Sequence, residues 1–219
     1  MTSPSSTQRR GRPGGSRGTD LLAVARDVLL ARRYAGATMD AVAAQARISK
    51  QTLYRQYPSK EILYAAVVRD WVDQGRDAMA PHLRKLMATD DVGQGLLELC
   101  RTLHHGVLSA PVLQMRTLIA AEAERFPDVA ADYVSRSWDH NQALLADALR
   151  HLAGRGLLRV DHPEVAAEQL TWLTLAAPLN RLTLTGGAAR YPAEELDAVA
   201  HEAVATFLAR YGTGEPAPG

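Results

Sequence analysis

At 219 residues the chain has room for one large or two small domains, and 47% hydrophobic content supplies a core with only 5% aromatic residues, which suits an Ala/Leu-rich helical protein. No apolar run reaches the ~20 residues of a membrane span, Met1–Gly18 lacks the apolar centre of a signal peptide, and a single cysteine, Cys100, excludes an internal disulfide framework, so the expectation is a cytoplasmic protein with no membrane partner. The net charge of +1 conceals a division, because residues 1–60 carry +8 and residues 61–219 carry −7. A basic head on an acidic body is the electrostatic pattern of a nucleic-acid-binding module joined to a separate partner or ligand domain.

Residues 1–18 are rich in Ser, Gly, Pro and Arg and read as a disordered arm. Arg9, Arg10, Arg12 and Arg17 make it basic, either as a minor-groove arm, with Arg12 a candidate DNA contact, or as a solubilising leader. Thr19 and Asp20 cap a first helix to about Tyr34, with Leu21, Leu22, Ala25, Val28 and Leu29 inward, and Gly36 ends it. Thr38 then caps a short helix whose narrow stripe is Met39, Val42, Ala43 and Ala46, with Asp40 at the favourable end of its dipole. After a tight turn at Arg47 and Ile48, Ser49 caps a third helix, Lys50 to Tyr57, that buries Leu53 and Tyr57. Its outer face holds Lys50, Gln51, Thr52, Tyr54 and Arg55: donors, an aromatic ring and two cations without an acid. Such a face suits a major groove, where donors meet phosphates and guanine N7/O6. Ser59 caps helix four, whose apolar set reads as Ile62, Leu63, Ala66, Val67 and Trp71, and which leads from head to body as a lever.

Thr38 to Lys60, with the triplet Thr52-Leu53-Tyr54 and the step Pro58-Ser59-Lys60-Glu61, resembles the DNA-binding head of TetR-type transcriptional regulators. The resemblance implies DNA contacts at Thr38, Ser49, Gln51, Thr52, Tyr54, Arg55 and Lys60. One departure stands out: the turn position commonly glycine in that family is Arg47, and a positive φ there costs on the order of 1 kcal/mol.

Further along, helix five (about Asp91 to Leu108) aligns Val92, Leu96, Leu99, Cys100, Leu103 and Val107, with His104 at the stripe's edge and His105 pointing away. Helix six, opened by Pro111, places Met115, Leu118, Ile119, Glu122 and Phe126 on one face, so an acid interrupts an apolar row. Pro127 starts helix seven, where Val134, Trp138, Asn141, Leu145, Ala148 and Leu152 align and Asn141 is the polar intruder. A lone polar group in an apolar row either meets an internal partner or lines a cavity. The cavity reading gathers Trp71, His104, Met115, Ile119, Glu122, Trp138, Asn141 and Trp172 around a small, largely apolar effector. Helix eight, from Pro163 to about Thr185, contains Pro178 and should kink there, and helix nine runs from Ala193 to Tyr211. Both are apolar on more than one face. That fits the dimer through the last two helices which the resemblance implies, with Leu175, Leu179, Leu182, Val204, Phe207 and Leu208 as candidate interface. Ile119–Pro127, IAAEAERFP, also resembles the body of one TetR-type subgroup.

The expected architecture is all-α with nine helices. Its parts are a basic arm (1–18), a helix-turn-helix head (19–65), a ligand and dimerisation body (66–211) and a disordered tail (212–219). The expected function is a homodimeric repressor that leaves a pseudo-palindromic operator when a small molecule binds, or else a regulator that activates or takes no effector. An enzyme using the body cavity finds no catalytic constellation, no metal-ligand spacing and no cofactor motif in its favour. Cys100, in an apolar stripe, reads as inert packing rather than a redox sensor.

Overall fold

The computed structural model describes residues 20–214. The basic arm with Arg12, and residues 215–219, lie outside the described residues. Four helices open the chain: α1 (Leu21–Gly36), α2 (Met39–Ala46), α3 (Lys50–Gln56) and α4 (Lys60–Gly75), the last running from head into body. Seven more follow: α5 (Ala80–Ala88), α6 (Val92–Val107), α7 (Ala110–Glu122), α8 (Pro127–Tyr133), α9 (His140–Gly154), α10 (Pro163–Leu184) and α11 (Ala193–Tyr211). A π-helical segment, Val134–Asp139, joins α8 to α9 without a break. All nine expected helices are present. α5, which Pro81 concealed as loop punctuation, is additional.

Two large cores hold the described residues together, and a third, smaller cluster consists of Leu103, Leu175 and Leu179. In the body, α6, α9, α10 and α11 enclose Leu96, Cys100, Leu149, Leu152, Leu170 and Phe207, with α5 adding Leu83 and Leu86. Gly95 lets α5 close on α6, since a Cβ there would lie 2.9 Å from both Leu86 and Thr89. In the head, α1, α2 and α3 pack around Val28, Leu29, Val42 and Leu53, and α4 adds Leu63, Tyr64, Val67 and Val68. Ile62, expected inside, is half-exposed, and the inward face of α4 is turned toward Tyr64, Val68 and Val72. Met115, Leu118 and Ile119 of α7 belong to this head core rather than to the body.

Helix ends follow local chemistry. Asp20, Thr38, Ser49 and Ser59 cap α1 to α4 with side-chain oxygens that accept from Ala23, Ala41, Thr52 and Ile62 N–H. α2 ends on Arg47 at φ 56, ψ 41, in the left-handed region. Arg47 N–H donates to Ala44 O at 3.2 Å and Ile48 N–H to Ala43 O at 3.0 Å, the paired bonds of a Schellman ending. Gly156 closes α9 with the same pair of bonds at φ 74, without a side chain to strain. At the other end of the chain, Gly212 pairs with Leu158 in an isolated β-bridge, so the docked chain extends past Tyr211 into the stretch expected as tail.

α10 runs on through Pro178, which cannot donate to the carbonyl of Thr174 four residues earlier. His104 of α6 supplies the missing donor: its Nε2 lies 2.9 Å from Thr174 O, which fixes the proton on that nitrogen. The imidazole is buried, and burial pushes its pKa down. Cys100 lies alongside, accepting from the Thr174 hydroxyl at 3.2 Å, its thiol pKa raised by burial.

Candidate DNA-binding surface and body cavity

α3 is held by one anchor. Leu53 is fully buried, whereas Lys50, Gln51, Tyr54, Arg55 and Gln56 are exposed and Thr52 is half-buried. Tyr54 is 46% exposed, a large ring left uncovered by its own chain. Arg55 forms no ion pair among the described residues, while Lys50 is tied to Asp40 of α2 at 2.6 Å. Ser49 and Thr52 hydroxyls share a 2.8 Å hydrogen bond at the start of α3. Thr38 accepts from Ala41 N–H and keeps its hydroxyl proton available. The result is a convex, acid-poor helix face with hydroxyls at its N-terminal end, chemistry that fits phosphate and base-edge contacts.

Lys60 has a structural task as well. Its ammonium donates to Tyr34 O at 2.7 Å and Ala37 O at 2.9 Å and sits 4.2 Å from the Tyr34 ring centroid, closing the carbonyl end of α1. One N–H proton is left for any outside acceptor.

Head and body meet at a cluster of rings. Tyr34, Tyr64 and Phe126 pack with centroids 5.0–5.3 Å apart, edge-on or tilted. Arg125 lies over the Tyr34 ring and 3.6 Å from Glu61, which accepts the Tyr34 hydroxyl proton at 3.2 Å. Burial, then the Glu61 charge, pushes Tyr34 up to about 12; burial and the nearby Glu122 charge do the same to Tyr64. The stretch Ile119–Pro127 therefore packs against α1 and α4 within the same core.

The cavity lies elsewhere, between α5, α6, α7, the π-helical segment, α9 and α10, and has a volume of about 110 Å³. Its apolar wall includes Met79, Leu83, Leu99, Leu103, Val107, Val112, Leu145 and Leu175. Its polar part is Arg116, Tyr133, Ser137, Asn141, Gln142 and Thr171, with Trp138 beside them. Asn141 donates to Ser137 O at 2.7 Å, leaving its Oδ1 buried without a partner, and Gln142 donates to the Thr171 hydroxyl at 3.0 Å. Arg116 lies 5.7 Å from the centre of the Trp138 ring. Burial raises the Tyr133 pKa, and Arg116 and a Ser137 hydrogen bond partly restrain it.

Of the eight residues expected around a cavity, the structure brings Trp138 and Asn141 together there. Trp71, Met115 and Ile119 pack in the head core, Glu122 is half-buried near Tyr34 and Tyr64, and His104 serves Thr174 O. Trp172 stacks on Trp138 at 5.2 Å but is 43% exposed on the outer face of α10. Arg116, Tyr133, Ser137, Gln142 and Thr171 were missed; polar residues spread over five elements leave no local sequence signal.

The expected interface set needs correction at four of its six residues. Leu175, Leu179, Val204 and Phe207 are buried in their own protomer, and Leu182 and Leu208 are half-buried. Side chains already consumed by a core cannot cover a second copy. The uncovered apolar face of α10 is Val165, Trp172, Leu173 and Leu184.

The family model described as bacterial regulatory proteins, tetR family, matches residues 21–67, and that described as AefR-like transcriptional repressor, C-terminal domain, matches residues 94–213. The chain belongs to the TetR family of transcriptional regulators. A solved structure described as a TetR-family transcriptional regulator from Mesorhizobium loti superposes on the regulator with a TM-score of 0.84 at 30% identity, covering 88% of this chain and 95% of that one. An uncharacterised helix-turn-helix transcriptional regulator of Mycobacterium tuberculosis is 32% identical over 146 residues, 66% of each chain. The flavonoid-responsive regulator FrrA shares the fold at TM-score 0.68 and 23% identity, covering 89% of this chain and 96% of its own. The regulator is thus an all-α DNA-binding protein. Among the described residues no helix is long and apolar enough to cross a membrane, and no cluster of His, Cys, Asp or Glu could hold a metal ion.

Proposed function

We propose that the regulator is a cytoplasmic homodimeric repressor whose two α3 helices occupy successive major grooves of a pseudo-palindromic operator, and that a small molecule in the body cavity releases it. Residues 19–65 act as the reading head and 66–211 as the sensing and dimerising body. Thr38, Ser49, Gln51, Thr52, Tyr54, Arg55 and Lys60 are the contact set, with Lys50 held by Asp40 until a phosphate competes for it.

One observation carries the ligand-responsive part. The π-helical segment and its flanks face two ways: Tyr133, Ser137 and Trp138 line the cavity, while Arg136 pairs with Asp73 of α4 and Asp132 lies 3.7 Å from Arg69 of α4. A ligand that shifts this segment pulls on α4, and with α4 the spacing of the heads, which must match half-sites ~34–36 Å apart or a multiple of that. To swing the population from 99:1 to 1:99 a ligand must favour the released state by ~5.5 kcal/mol. FrrA, a fold neighbour, is described as flavonoid-responsive, which suits the same class of switch.

The test is binding to the DNA flanking the regulator's own gene, followed by a compound screen scored by thermal shift and DNA release. Salt-sensitive binding abolished by some compound is the expected result. Binding that no compound releases leaves a regulator without an effector, and no specific binding overturns the reading.

A further inference from the structure

We infer that the ligand is a one-ring organic acid whose anionic group pairs with Arg116 while its ring lies in the apolar part of the cavity. The inference rests on the ligand-responsive reading above and adds the chemical class of the ligand. The cavity lining contains one cation, Arg116, and no Asp, Glu or second cation. Arg116 has no carboxylate partner among the described residues; it lies by the Trp138 ring and the Tyr133 hydroxyl. Arg116 is half-buried at the cavity, and a planar carboxylate meets its fork with two parallel hydrogen bonds. A neutral guest would leave that cation as it is, and a cationic guest would be repelled.

Size fixes the rest. About 110 Å³ is less than the ~150 Å³ of an engineered apolar cavity that holds benzene, so a single ring is the ceiling without rearrangement, and its charged group must lie at the half-buried rim with Arg116. Asn141 adds a preference. Ser137 O holds its amide so that Oδ1, an acceptor, is the atom without a partner. A ring hydroxyl reaching it would satisfy a buried acceptor, so a hydroxylated ring acid should bind more tightly than the bare one.

Trp138 in the lining makes the test direct. Tryptophan fluorescence of the full-length protein is titrated with benzoate, 4-hydroxybenzoate, benzamide and methyl benzoate. The two acids should bind at least tenfold more tightly than the two neutral analogues, with 4-hydroxybenzoate ahead of benzoate. Arg116→Gln should cut acid affinity at least tenfold and leave benzamide unchanged, whereas Arg116→Lys should retain part of the acid preference; thermal melting checks that both variants fold. Neutral analogues binding as well as the acids, no acid binding at all, or an acid preference that survives in Arg116→Gln would each overturn the inference. A neutral compound that still releases DNA in the screen would leave the ligand-responsive reading standing without it.

Discussion

Arg47 shows how a single residue can break a local preference and leave the fold intact. Its αL conformation closes a Schellman ending normally suited to glycine, and Ile48 follows it into the head core. The strain is ~1–2 kcal/mol, offset in part because arginine restricts the unfolded chain more than glycine does, by ~0.4–1 kcal/mol. Arg47→Gly should therefore stabilise the protein by about 0.5–1 kcal/mol in urea denaturation while leaving DNA affinity unchanged. A loss of stability would mean the arginine side chain contributes something its backbone geometry does not reveal. The capped ends of α1 to α4 were readable because a cap is a local exchange between one side chain and one turn. The positive φ of Arg47 was readable only through the resemblance, and Arg33, at φ 59 and ψ 169 near the end of α1, gave no signal, since nothing in arginine itself asks for that conformation.

Helices pose a different problem, because a pattern says that a face is apolar but not what it meets. Pro178 removes a donor from α10, and the partner that answers, His104, lies 74 residues away on α6. His104→Phe should cost ~1–3 kcal/mol by leaving Thr174 O buried without a donor. Adding Pro178→Ala, which restores a backbone N–H four residues on, should recover much of that loss; strictly additive effects in the double-mutant cycle would contradict the pairing. The same histidine sets a pH dependence. Its folded pKa is depressed, chiefly by burial, so below the unfolded value of ~6.5 the unfolded chain binds the proton first and stability falls as pH drops toward the folded pKa. Urea midpoints of wild type and His104→Phe should therefore converge between pH 7.5 and pH 5.5.

The segment from α8 to α9 marks the limit of counting. Stepping back from Leu145 at 3.6 residues per turn leads through Asn141 and Trp138 to Val134, yet Val134 is 45% exposed and the cavity meets Tyr133 instead. The π-helical turn between them inserts a residue and rotates the face, and such turns recur at functional sites. Here it points Trp138 at the cavity and Arg136 at Asp73 of α4. Arg136→Ala should cost less than ~1 kcal/mol of stability, as partly exposed ion pairs do. It should also leave operator affinity intact while reducing the ability of a bound ligand to release DNA at least tenfold. Full release in that variant would place the coupling elsewhere, with the Tyr34–Tyr64–Phe126 joint the next element to test.

For the whole molecule, the charge division and the all-α class were visible in sequence because they are sums over many residues. The face proposed for dimerisation was not. α10 is apolar on several sides, and burial of Leu175 and Leu179 within the protomer leaves Val165, Trp172, Leu173 and Leu184 as the exposed stripe. A stable two-fold contact needs ~1,200–2,000 Å² in total, and the proposed contact centres on this stripe. Trp172→Glu with Leu173→Glu should yield a folded monomer by sedimentation and weaken operator binding, since one head then holds only one half-site.

The proposed function depends first on α3 reading DNA. Its most direct test is fluorescence anisotropy on DNA flanking the gene and on a shuffled duplex, at 50 and 200 mM salt, for wild type and Arg55→Ala. Wild type should prefer the native sequence by at least ~10³-fold, lose affinity steeply with salt, and drop ~1–3 kcal/mol in Arg55→Ala while the dimer persists. Equal affinity for both duplexes, or native affinity in Arg55→Ala, would contradict it.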